Sequence, residues 1–464
     1  MPSSMPKMQG VAMTEGAPWR HTLRFALPVL GGSLLQQLYN TADMVIVGRF
    51  SGEASLSAVG TTGSFVFLFL AVALGISAGN GVVVSQRYGA KDEAGVRANA
   101  SLGLLLMGAL GVIATLVGLA VSRLACVHLI SVPKEILEDT LLYFRIYALG
   151  LIFQYGYNAV SSILRAVGDS AATLYFLLVS SVLNVVLDLL FVAVFHWGVA
   201  GAAAATGIAQ LGSFAAAYWY MHRKYPMFRF KLGDFRWDAG LAKATVRVGL
   251  PIVLQLSVVS FGLTFIQRAV NGFGTAMTAS FTVGHRIELY LHLPCHAFHT
   301  TLATYTGQNY GAGLMQRIRT GARQTLLMSL ILTLAISAFV WTFADDIVMF
   351  CGLGDTAADY CLRHLKAVAL TNIVLSVYVP LFGVFQGTGH SGVPAVVATG
   401  ALSMRVLVTY LFRHSSFLGC SVIWWNGIFG FSMGFLISWT YYLAARWSKR
   451  QNGEQSAGDA RQCS

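Results

Sequence analysis

Apolar stretches of about 20 residues recur along the whole chain, and this feature restricts the fold more than any other. A stretch of that length, wound into a helix, crosses a hydrocarbon layer ~30 Å thick. Only 11% of the 464 residues are charged, whereas a soluble domain needs roughly 25% to cover its surface. The 48 glycines agree with this reading, because small residues let membrane helices pack closely. The sequence therefore predicts an all-α integral membrane protein.

Twelve such stretches can be placed along the chain, and each is predicted to form one transmembrane helix. The predicted spans are residues 23–48, 57–84, 98–121, 139–163, 171–195, 198–221, 244–270, 277–304, 322–343, 361–386, 393–413 and 419–446. Lys and Arg are concentrated on one side of these spans, around Arg87, Arg229 and Arg317 and near both termini. Because loops of this kind stay in the cytoplasm, we predict that both termini are cytoplasmic.

The two halves of the chain carry matching short motifs at a nearly constant offset. The matches are Gln86-Arg-Tyr-Gly-Ala90 with Gln308-Asn-Tyr-Gly-Ala312, Leu27-Pro28 with Leu250-Pro251, and Gly168-Asp-Ser170 with Gly389-His-Ser391, at offsets of 222, 223 and 221 residues. Six spans per half return the chain to the side on which it began, so the halves have parallel topology. They are predicted to enclose a cavity around a pseudo-twofold axis along the membrane normal.

This repeat divides the chain into two pseudo-symmetric six-helix bundles with polar ends. The predicted domains are a cytoplasmic N-terminal segment (1–22), an N-terminal lobe (23–221), a basic cytoplasmic linker (222–243), a C-terminal lobe (244–446) and a cytoplasmic tail (447–464). Such a bundle is typical of a transporter, because channels usually reach symmetry by assembling subunits around a pore. We expect a monomer whose partners are small-molecule organic substrates and the surrounding lipid bilayer.

Composition and motifs argue against several other classes of protein. The net charge of +12 comes from short loops between apolar spans rather than from a folded basic surface, so we expect no nucleic-acid partner. The sequence contains no Walker loop and no hydrolase, zinc-protease or kinase signature, so we expect neither enzymatic activity nor a cofactor. The six cysteines lack metal-type spacing, and Cys351 and Cys361 flank one loop in which a disulfide is an open question.

Polar residues at membrane depth are costly, about 2.5–3.5 kcal/mol for a central charge, so each one requires a reason. The first predicted span carries a polar stripe on one helical face, because its members are spaced i, i+3, i+4 and i+7. They are Gln36, Tyr39, Asn40 and Asp43. The stripe predicts either a cavity-facing functional site or a hydrogen-bonded seam between helices.

The fifth and sixth predicted spans add further oxygen atoms to the first half. Asn184 and Asp188 lie one turn apart and supply hard oxygen ligands for a cation such as sodium, or a carboxylate that carries a proton. Thr206, among small residues, adds a hydroxyl group. If Asp43 and Asp188 share a cavity, their mutual repulsion allows the pair to take up and release a proton.

The eighth predicted span is the polar helix of the second half. Its histidines, which align on one helical face, are His285, His292, His296 and His299. A metal site on His292, His296 and His299, a proton relay or cavity lining, and polar packing are the alternatives. No carboxylate or cysteine completes a clear metal set, so no metal is predicted, and Pro294 predicts an interruption of the helix. Glu288 and Arg286, two residues apart, require separate partners.

Six short segments carry a family resemblance through their order and spacing. They are Gln37-Leu-Tyr-Asn-Thr-Ala-Asp-Met-Val-Ile-Val-Gly48, Ala58-Val-Gly60, Gln86-Arg-Tyr-Gly-Ala90, Leu164-Arg-Ala-Val-Gly-Asp169, Arg286-Ile-Glu288 and Gln308-Asn-Tyr-Gly-Ala312. From about Leu23 to Trp447, the chain resembles the multidrug and toxic compound extrusion (MATE) transporters. The resemblance implies two six-helix bundles in a V shape. It also implies export of small organic compounds, often cationic or amphipathic, by proton or sodium antiport across a bacterial cytoplasmic (inner) membrane.

The resemblance also implies roles for particular residues. In the DinF-like branch of the family, the cation site matches Asp43, Asn184, Asp188 and Thr206 of this chain. The residues predicted to line the cavity or contact substrate are Gln36, Tyr39, Asn40, Asn158 and Glu288. The seventh span lacks the carboxylate that the NorM-like branch uses, so coupling is predicted in the N-terminal lobe. The alternative function is a flippase of lipid-linked intermediates from the same superfamily, which would favour a strongly cationic central cavity.

Overall fold

The structure, a computed structural model, describes residues 10–129, 132–415 and 419–444. In chain order its α-helices are α1 (Pro18–Gly89), α2 (Glu93–Leu124), α3 (Leu137–Ala166), α4 (Ser170–Asp188), α5 (Gly198–Lys224), α6 (Ala239–Asn271), α7 (Thr275–Gly311), α8 (Met315–Thr342), α9 (Ala344–Phe350), α10 (Asp355–Gly387), α11 (Gly392–Phe412) and α12 (Val422–Leu443). Short π-helical turns, Ala125–Leu129 and Leu189–Val194, follow α2 and α4. No strand occurs within the described residues, and the predicted all-α fold is confirmed.

The first two predicted spans form one long helix with a break, rather than two helices separated by a loop. The break lies at Gly52, whose φ of 83° departs from helical geometry. Glycine tolerates this conformation at no steric cost, and no proline follows it, so the helix resumes at once. We call residues 18–51 the first limb of α1 and residues 53–89 its second limb.

Within the described parts of the chain, nine helical segments are long and apolar enough to cross a membrane. The first limb of α1, α3 and α7 are not among the nine, and these three carry several of the polar residues singled out by the sequence, such as Asp43, Asn158 and Glu288. Polar side chains that face a cavity lower the average hydropathy of a helix without shortening it. The membrane-spanning fold is confirmed, while the number of twelve spans stays a prediction.

The internal repeat reappears as matching local structure in the two halves. Pro28 lies inside α1 and Pro251 lies inside α6. Gly168 and Gly389, in the turns after α3 and α10, adopt positive φ angles of 90° and 85°. Glycine enters this left-handed region readily, which explains why both repeats have it at this turn.

The two Gln-x-Tyr-Gly motifs pack against each other where α1 and α7 end. A Cβ atom on Gly89 would collide with the backbone of Gln308, and one on Gly311 would collide with the backbone of Gln86. Gln86 Nε2 also donates to the carbonyl oxygen of Gly387 at 2.8 Å. The glycines therefore permit direct backbone contact between the halves, and we call this end of the bundle the Gln86 end.

A short segment before α1 also bridges the halves at the Gln86 end, and we call residues 10–15 the N-terminal clasp. The N–H of Val11 donates to the turn that follows α3, at 3.0 Å. The N–H of Met13 donates to Gln308 Oε1 at 2.9 Å, and the Met13 carbonyl accepts from Arg317 Nη2 at 3.2 Å. The Met13 side chain is buried in the core of the C-terminal half. The clasp therefore ties the first half to the second.

The connection between the halves and the chain ends complete the fold. Between Lys224 and Ala239 the chain forms two 3₁₀ turns, Pro226–Phe228 and Leu232–Asp234, and Asp234 forms an ion pair with Arg97 of α2 at 2.5 Å. Cys351 and Cys361 are free thiols. Residues 1–9, Cys463 and the predicted tail, 447–464, lie outside the described residues.

Candidate functional site

Two aspartates form the most unusual polar contact in the N-terminal half. Asp188, at the end of α4, is 0% exposed, and neither of its carboxylate oxygens has a hydrogen-bond partner among the described residues. It lies near Asp43 on the first limb of α1, whose Oδ1 also lacks a partner among the described residues. Two carboxylates are both acceptors, so their close approach requires a proton or a cation between them.

Asn184 and Thr206 complete this cluster of oxygen atoms. Asn184 lies one turn before Asp188, is buried, and has an Oδ1 without a partner in the described chain. Its Nδ2 lies 3.5 Å from Thr206 Oγ1 on α5, and that hydroxyl donates to Ala202 O at 3.1 Å. Carboxylate, amide and hydroxyl oxygens suit a hard cation, and the carboxylates alone suit a proton. The four residues predicted as a cation site are therefore brought together.

Three tyrosines lie near the aspartate pair, and the sequence predicted only one of them, Tyr39. Tyr39 is within reach of Gln36 on its own helical face and approaches Asp43. Tyr143 and Tyr147 of α3 face the same group, and their rings stack with centroids 6.1 Å apart. The i, i+4 spacing of these two on α3 gives them a common face, but that spacing alone does not show which neighbour the face meets.

The remaining polar residues predicted for this half lie apart from the aspartate pair. Asn158 is buried on α3, and its Nδ2 donates to Gln154 O in the same helix at 2.8 Å. Asn40 is half-buried on the first limb of α1. In the described chain no hydrogen bond joins either side chain to Asp43 or Asp188, so the structure assigns neither a direct contact with the pair.

A separate cavity of about 500 Å³ lies between the halves, mostly within the C-terminal one. Its walls come from the second limb of α1 and the end of α3 on one side, and from α6, α7, α10, α11 and α12 on the other. The Arg, His and Glu residues that line it are Arg165, His285, Glu288, His292, His296, His299 and Arg405. Most of the other lining side chains are apolar.

All four histidines of the predicted stripe line this cavity from α7. The helix runs without interruption from Thr275 to Gly311 and includes Pro294, so the predicted break at that proline is wrong. In a membrane protein the backbone groups freed by a proline are satisfied by neighbours or small local adjustments, and the helix continues. The stripe therefore remains on one helical face along its full length.

Glu288 occupies the centre of a histidine cluster. This buried carboxylate contacts His285 Nδ1 at 3.0 Å, His292 Nε2 at 3.7 Å and His364 Nε2 at 3.7 Å. His364 lies on α10, so it is the partner from another helix that the sequence required, although the sequence did not identify it. Among the described residues, no group of three or more His, Cys, Asp or Glu side chains is arranged to hold a metal ion.

Two arginines carry positive charge into the same cavity. Arg405 Nε donates to Asn426 Oδ1 at 2.8 Å, and its guanidinium lies 5.2 Å from the centroid of the Phe431 ring. Arg165, at the end of α3, also lines the cavity, and its side chain forms neither a hydrogen bond nor an ion pair within the described residues. The cavity therefore holds two arginines and one glutamate.

The fold and both polar regions can now be compared with known proteins. The MatE family model matches residues 28–190 and 251–411, one match in each half. This chain belongs to the MATE family of membrane transporters. A probable multidrug resistance protein of Bacillus subtilis, YpnP, is 28% identical over 448 residues, covering 95% of this chain and 98% of that protein. A second B. subtilis relative with the same description, YoeA, is 25% identical over 443 residues, covering 93% and 95%.

Solved structures agree with this assignment. One that is described as the outward-facing conformation of a multidrug resistance MATE family transporter of the MOP superfamily matches with a TM-score of 0.89. It is 26% identical in sequence, and the match covers 96% of this chain and 99% of that one. The resemblance to MATE transporters inferred from the sequence is therefore confirmed, while the DinF-like branch stays a prediction.

Proposed function

We propose that this MATE-family protein is a secondary active efflux transporter that exports small organic compounds in exchange for H⁺ or Na⁺. The observation that carries the proposal is the fully buried Asp188, whose two oxygens have no donor while Asp43 approaches it. A buried ion of this kind is unstable unless a counter-charge accompanies it. No Lys or Arg of the described chain pairs with either aspartate, so the counter-charge must enter from water. The multidrug resistance names of the relatives support export.

Occupancy of the aspartate pair gives the transporter a switch. Two carboxylates about 4 Å apart repel each other by roughly 4 kcal/mol at an effective dielectric constant of about 20. A bound proton or sodium ion removes that repulsion. The loaded and unloaded forms therefore favour different packings of the first limb of α1 against α4. A switch between two packings, biased by ion binding, is what couples an ion gradient to transport.

We assign the Gln86 end to the cytoplasm of a bacterial inner membrane, with both termini on that side. The support is the concentration of basic residues there, including Arg87, Arg97, Arg229 and Arg317. Under this assignment the contacts between the Gln-x-Tyr-Gly motifs and the N-terminal clasp close the cytoplasmic end. The structure then corresponds to a state in which substrate leaves toward the outside.

The coupling mechanism is tested in vesicles that contain the purified protein. Substrate flux is measured under an imposed pH gradient without sodium, and under a sodium gradient at equal pH. We expect one of the two gradients to drive flux, and Asp43→Asn and Asp188→Asn each to reduce the driven flux at least about tenfold. Asp346→Asn, at an exposed acid in α9, serves as the control and is expected to match the wild type. Flux that depends on neither gradient, or that persists in both aspartate variants, contradicts cation coupling.

One observation favours the alternative of a lipid-linked flippase. The central cavity contains two arginines and a single acid, the charge balance expected for a phosphate-bearing substrate. Vesicles that carry a fluorescent lipid-linked phosphate in both leaflets distinguish the two functions, because a flippase makes the inner-leaflet dye accessible to an added membrane-impermeant quencher. An efflux antiporter leaves that fraction protected.

A further inference from the structure

We propose that the central cavity binds amphipathic organic anions, meaning a carboxylate, sulfonate or phosphate ester on an apolar body, with Arg405 and Arg165 as the anion-binding groups. This inference rests on the proposed transport function and names its substrate class. It departs from the organic cations that the family resemblance implies.

The balance of charge along the cavity wall is the first support. Two arginines face one glutamate, so the wall is net positive even when every histidine is neutral. Glu288 Oε2 contacts His285 at 3.0 Å and lies 3.7 Å from His364, and Oε1 lies 3.7 Å from His292, so histidines surround this carboxylate. An organic cation in this cavity would meet two guanidinium groups and a carboxylate that is already surrounded.

The second support is the way Arg405 is held. Its Nε donates to the buried Asn426, and the amide of Asn426 is oriented by its own bond to Ile423 O at 2.7 Å. Phe431 supports the guanidinium plane from one side. The two terminal nitrogens of Arg405 have no hydrogen-bond partner in the described chain. A guanidinium that is fixed at Nε and open at both Nη atoms is arranged for bidentate contact with a carboxylate or phosphate.

Further unpaired donors point into the same space. Gln386 is 3% exposed, and its Oε1 contacts His299 Nε2 at 2.8 Å, while its Nε2 has no partner among the described residues. Arg165 adds a second guanidinium without a partner. Gln255 Oε1, by contrast, is an unpaired acceptor in the cavity wall, which an anion does not satisfy. Buried donors without acceptors are costly, and an anionic ligand would supply the acceptors that they lack.

The rest of the wall suits the apolar body of such a ligand. Side chains such as Leu256, Val259 and Phe382 line the cavity. A volume of about 500 Å³ falls within the range of roughly 300–1,000 Å³ that is typical of sites for drug-sized molecules. The cavity therefore combines an apolar chamber with a small number of anion-binding groups.

The test measures equilibrium binding of two tritiated probes, naphthylacetate and naphthylethylammonium, to the purified full chain. The two probes share one apolar ring system and differ in charge. We expect the wild type to bind the anion at least tenfold more tightly than the cation. Arg405→Gln and Arg165→Gln are each expected to weaken anion binding at least tenfold. Arg405→Lys keeps the positive charge but lacks the two terminal nitrogens needed for bidentate contact, and it is expected to lose part of the affinity for the anion. Arg363→Gln, an exposed and distant arginine, is the control.

The side chain of Arg165 makes no hydrogen bond or ion pair in the described structure, so its variant keeps the test valid if Arg405→Gln fails to fold. Equal or tighter binding of the cation, or unchanged anion binding in Arg165→Gln, overturns the proposal. Displacement of naphthylacetate by short-chain phosphatidic acid identifies a lipid-type headgroup, whereas resistance to displacement identifies a free organic acid. Anion binding without gradient-driven flux contradicts the proposed function alone, and gradient-driven flux of the cation without anion binding contradicts this inference alone.

Discussion

Replacement of Asp169 tests how the Gln86 end of the N-terminal half is held together. This residue follows α3, is 8% exposed, and caps α4 by accepting from the Ala172 N–H at 3.1 Å through Oδ1. Its Oδ2 accepts from Tyr225 Oη at 2.6 Å, Lys224 Nζ at 2.9 Å and Tyr220 Oη at 3.0 Å. One buried carboxylate therefore joins the start of α4 to the end of α5.

The magnitude of the effect follows from these bonds. Loss of the helix cap costs about 1 kcal/mol. Hydrogen bonds to a charged group contribute about 1.5–3 kcal/mol each, but they share one oxygen and do not add. Lys224 is 48% exposed, so its ion pair contributes only about 0–1 kcal/mol. We expect Asp169→Ala to lower the free energy of unfolding by about 3–4 kcal/mol, and Asp169→Asn, which retains the capping acceptor, by about 2–3 kcal/mol.

The pH dependence of this contribution has a definite sign. Burial alone would raise the pKa of Asp169, but the hydrogen bonds from Tyr225 and Lys224 prevail and lower it below its ordinary value. A carboxylate with a depressed pKa in the folded state stabilises the fold above its unfolded pKa, near 3.9. That stability is lost as the pH falls through the folded value. The difference between wild type and Asp169→Asn is therefore expected to be constant near neutral pH and to shrink below about pH 4.

Equilibrium unfolding in mixed detergent micelles measures the free-energy difference, and apparent melting temperatures give its pH dependence. Asp92→Ala is the matched control, because Asp92 caps α2 through the Gly95 N–H at 2.8 Å and pairs with the exposed Arg87. The control is expected to cost about 1–2 kcal/mol. A difference under about 0.5 kcal/mol between wild type and Asp169→Asn at neutral pH would show that the charge-assisted bonds do not hold these helices.

Two further substitutions test the closure of the Gln86 end. Gly89→Ala introduces a Cβ against backbone of the other half, and we expect it to destabilise the closed state by about 1–3 kcal/mol. Thiol labelling from the Gln86 side of a cysteine placed at Ser162, in an otherwise cysteine-free chain, is then expected to accelerate, and an unchanged rate contradicts the role of this contact. Arg317→Lys removes the guanidinium group, whose Nη2 donates to the carbonyl oxygens of Met13 at 3.2 Å and Glu15 at 2.6 Å. We expect faster proteolysis of the N-terminal clasp in that variant, and equal cleavage rates would show that Arg317 does not hold it.

The aspartate site could be predicted from the sequence because membrane-embedded acids are rare and their spacing within one helix is fixed. Asp43 and Asp188 stand out among apolar neighbours, and Asn184 follows from its distance of one turn. The structure brings them together, while their role in coupling stays a proposal. Tyr143 could not be predicted, because periodicity gives the face of a helix but not the neighbour that it meets. The same limit applied to His364, whose contact with Glu288 depends on how α10 packs against α7.

The sequence also did not allow us to predict that α1 is one continuous helix. A polar interval between two apolar stretches predicts a loop, yet Gly52 alone absorbs the change of direction. The central cavity presents a related limit. Arg165 and Arg405 are far apart in the chain, and only the packing of the two halves places them on opposite sides of one cavity. Sequence patterns within single helices were therefore informative, and contacts between helices required the structure.

The buried aspartates are distributed unequally between the two halves of this duplicated bundle. The positions equivalent to Asp43 and Asp188 in the second half are Ile266 and Thr409, at offsets of 223 and 221 residues. Ile266 packs in an apolar core, and Thr409 Oγ1 donates to Arg405 O at 2.8 Å, so both positions serve packing. The second half instead contributes Arg405 and four histidines to the central cavity, which Arg165 of the first half also lines. Under the two proposals made above, a cation binds at the aspartate pair and an anion binds in the central cavity, at separate places. The two limbs of α1, one carrying Asp43 and the other lining the cavity, form the covalent connection between those places.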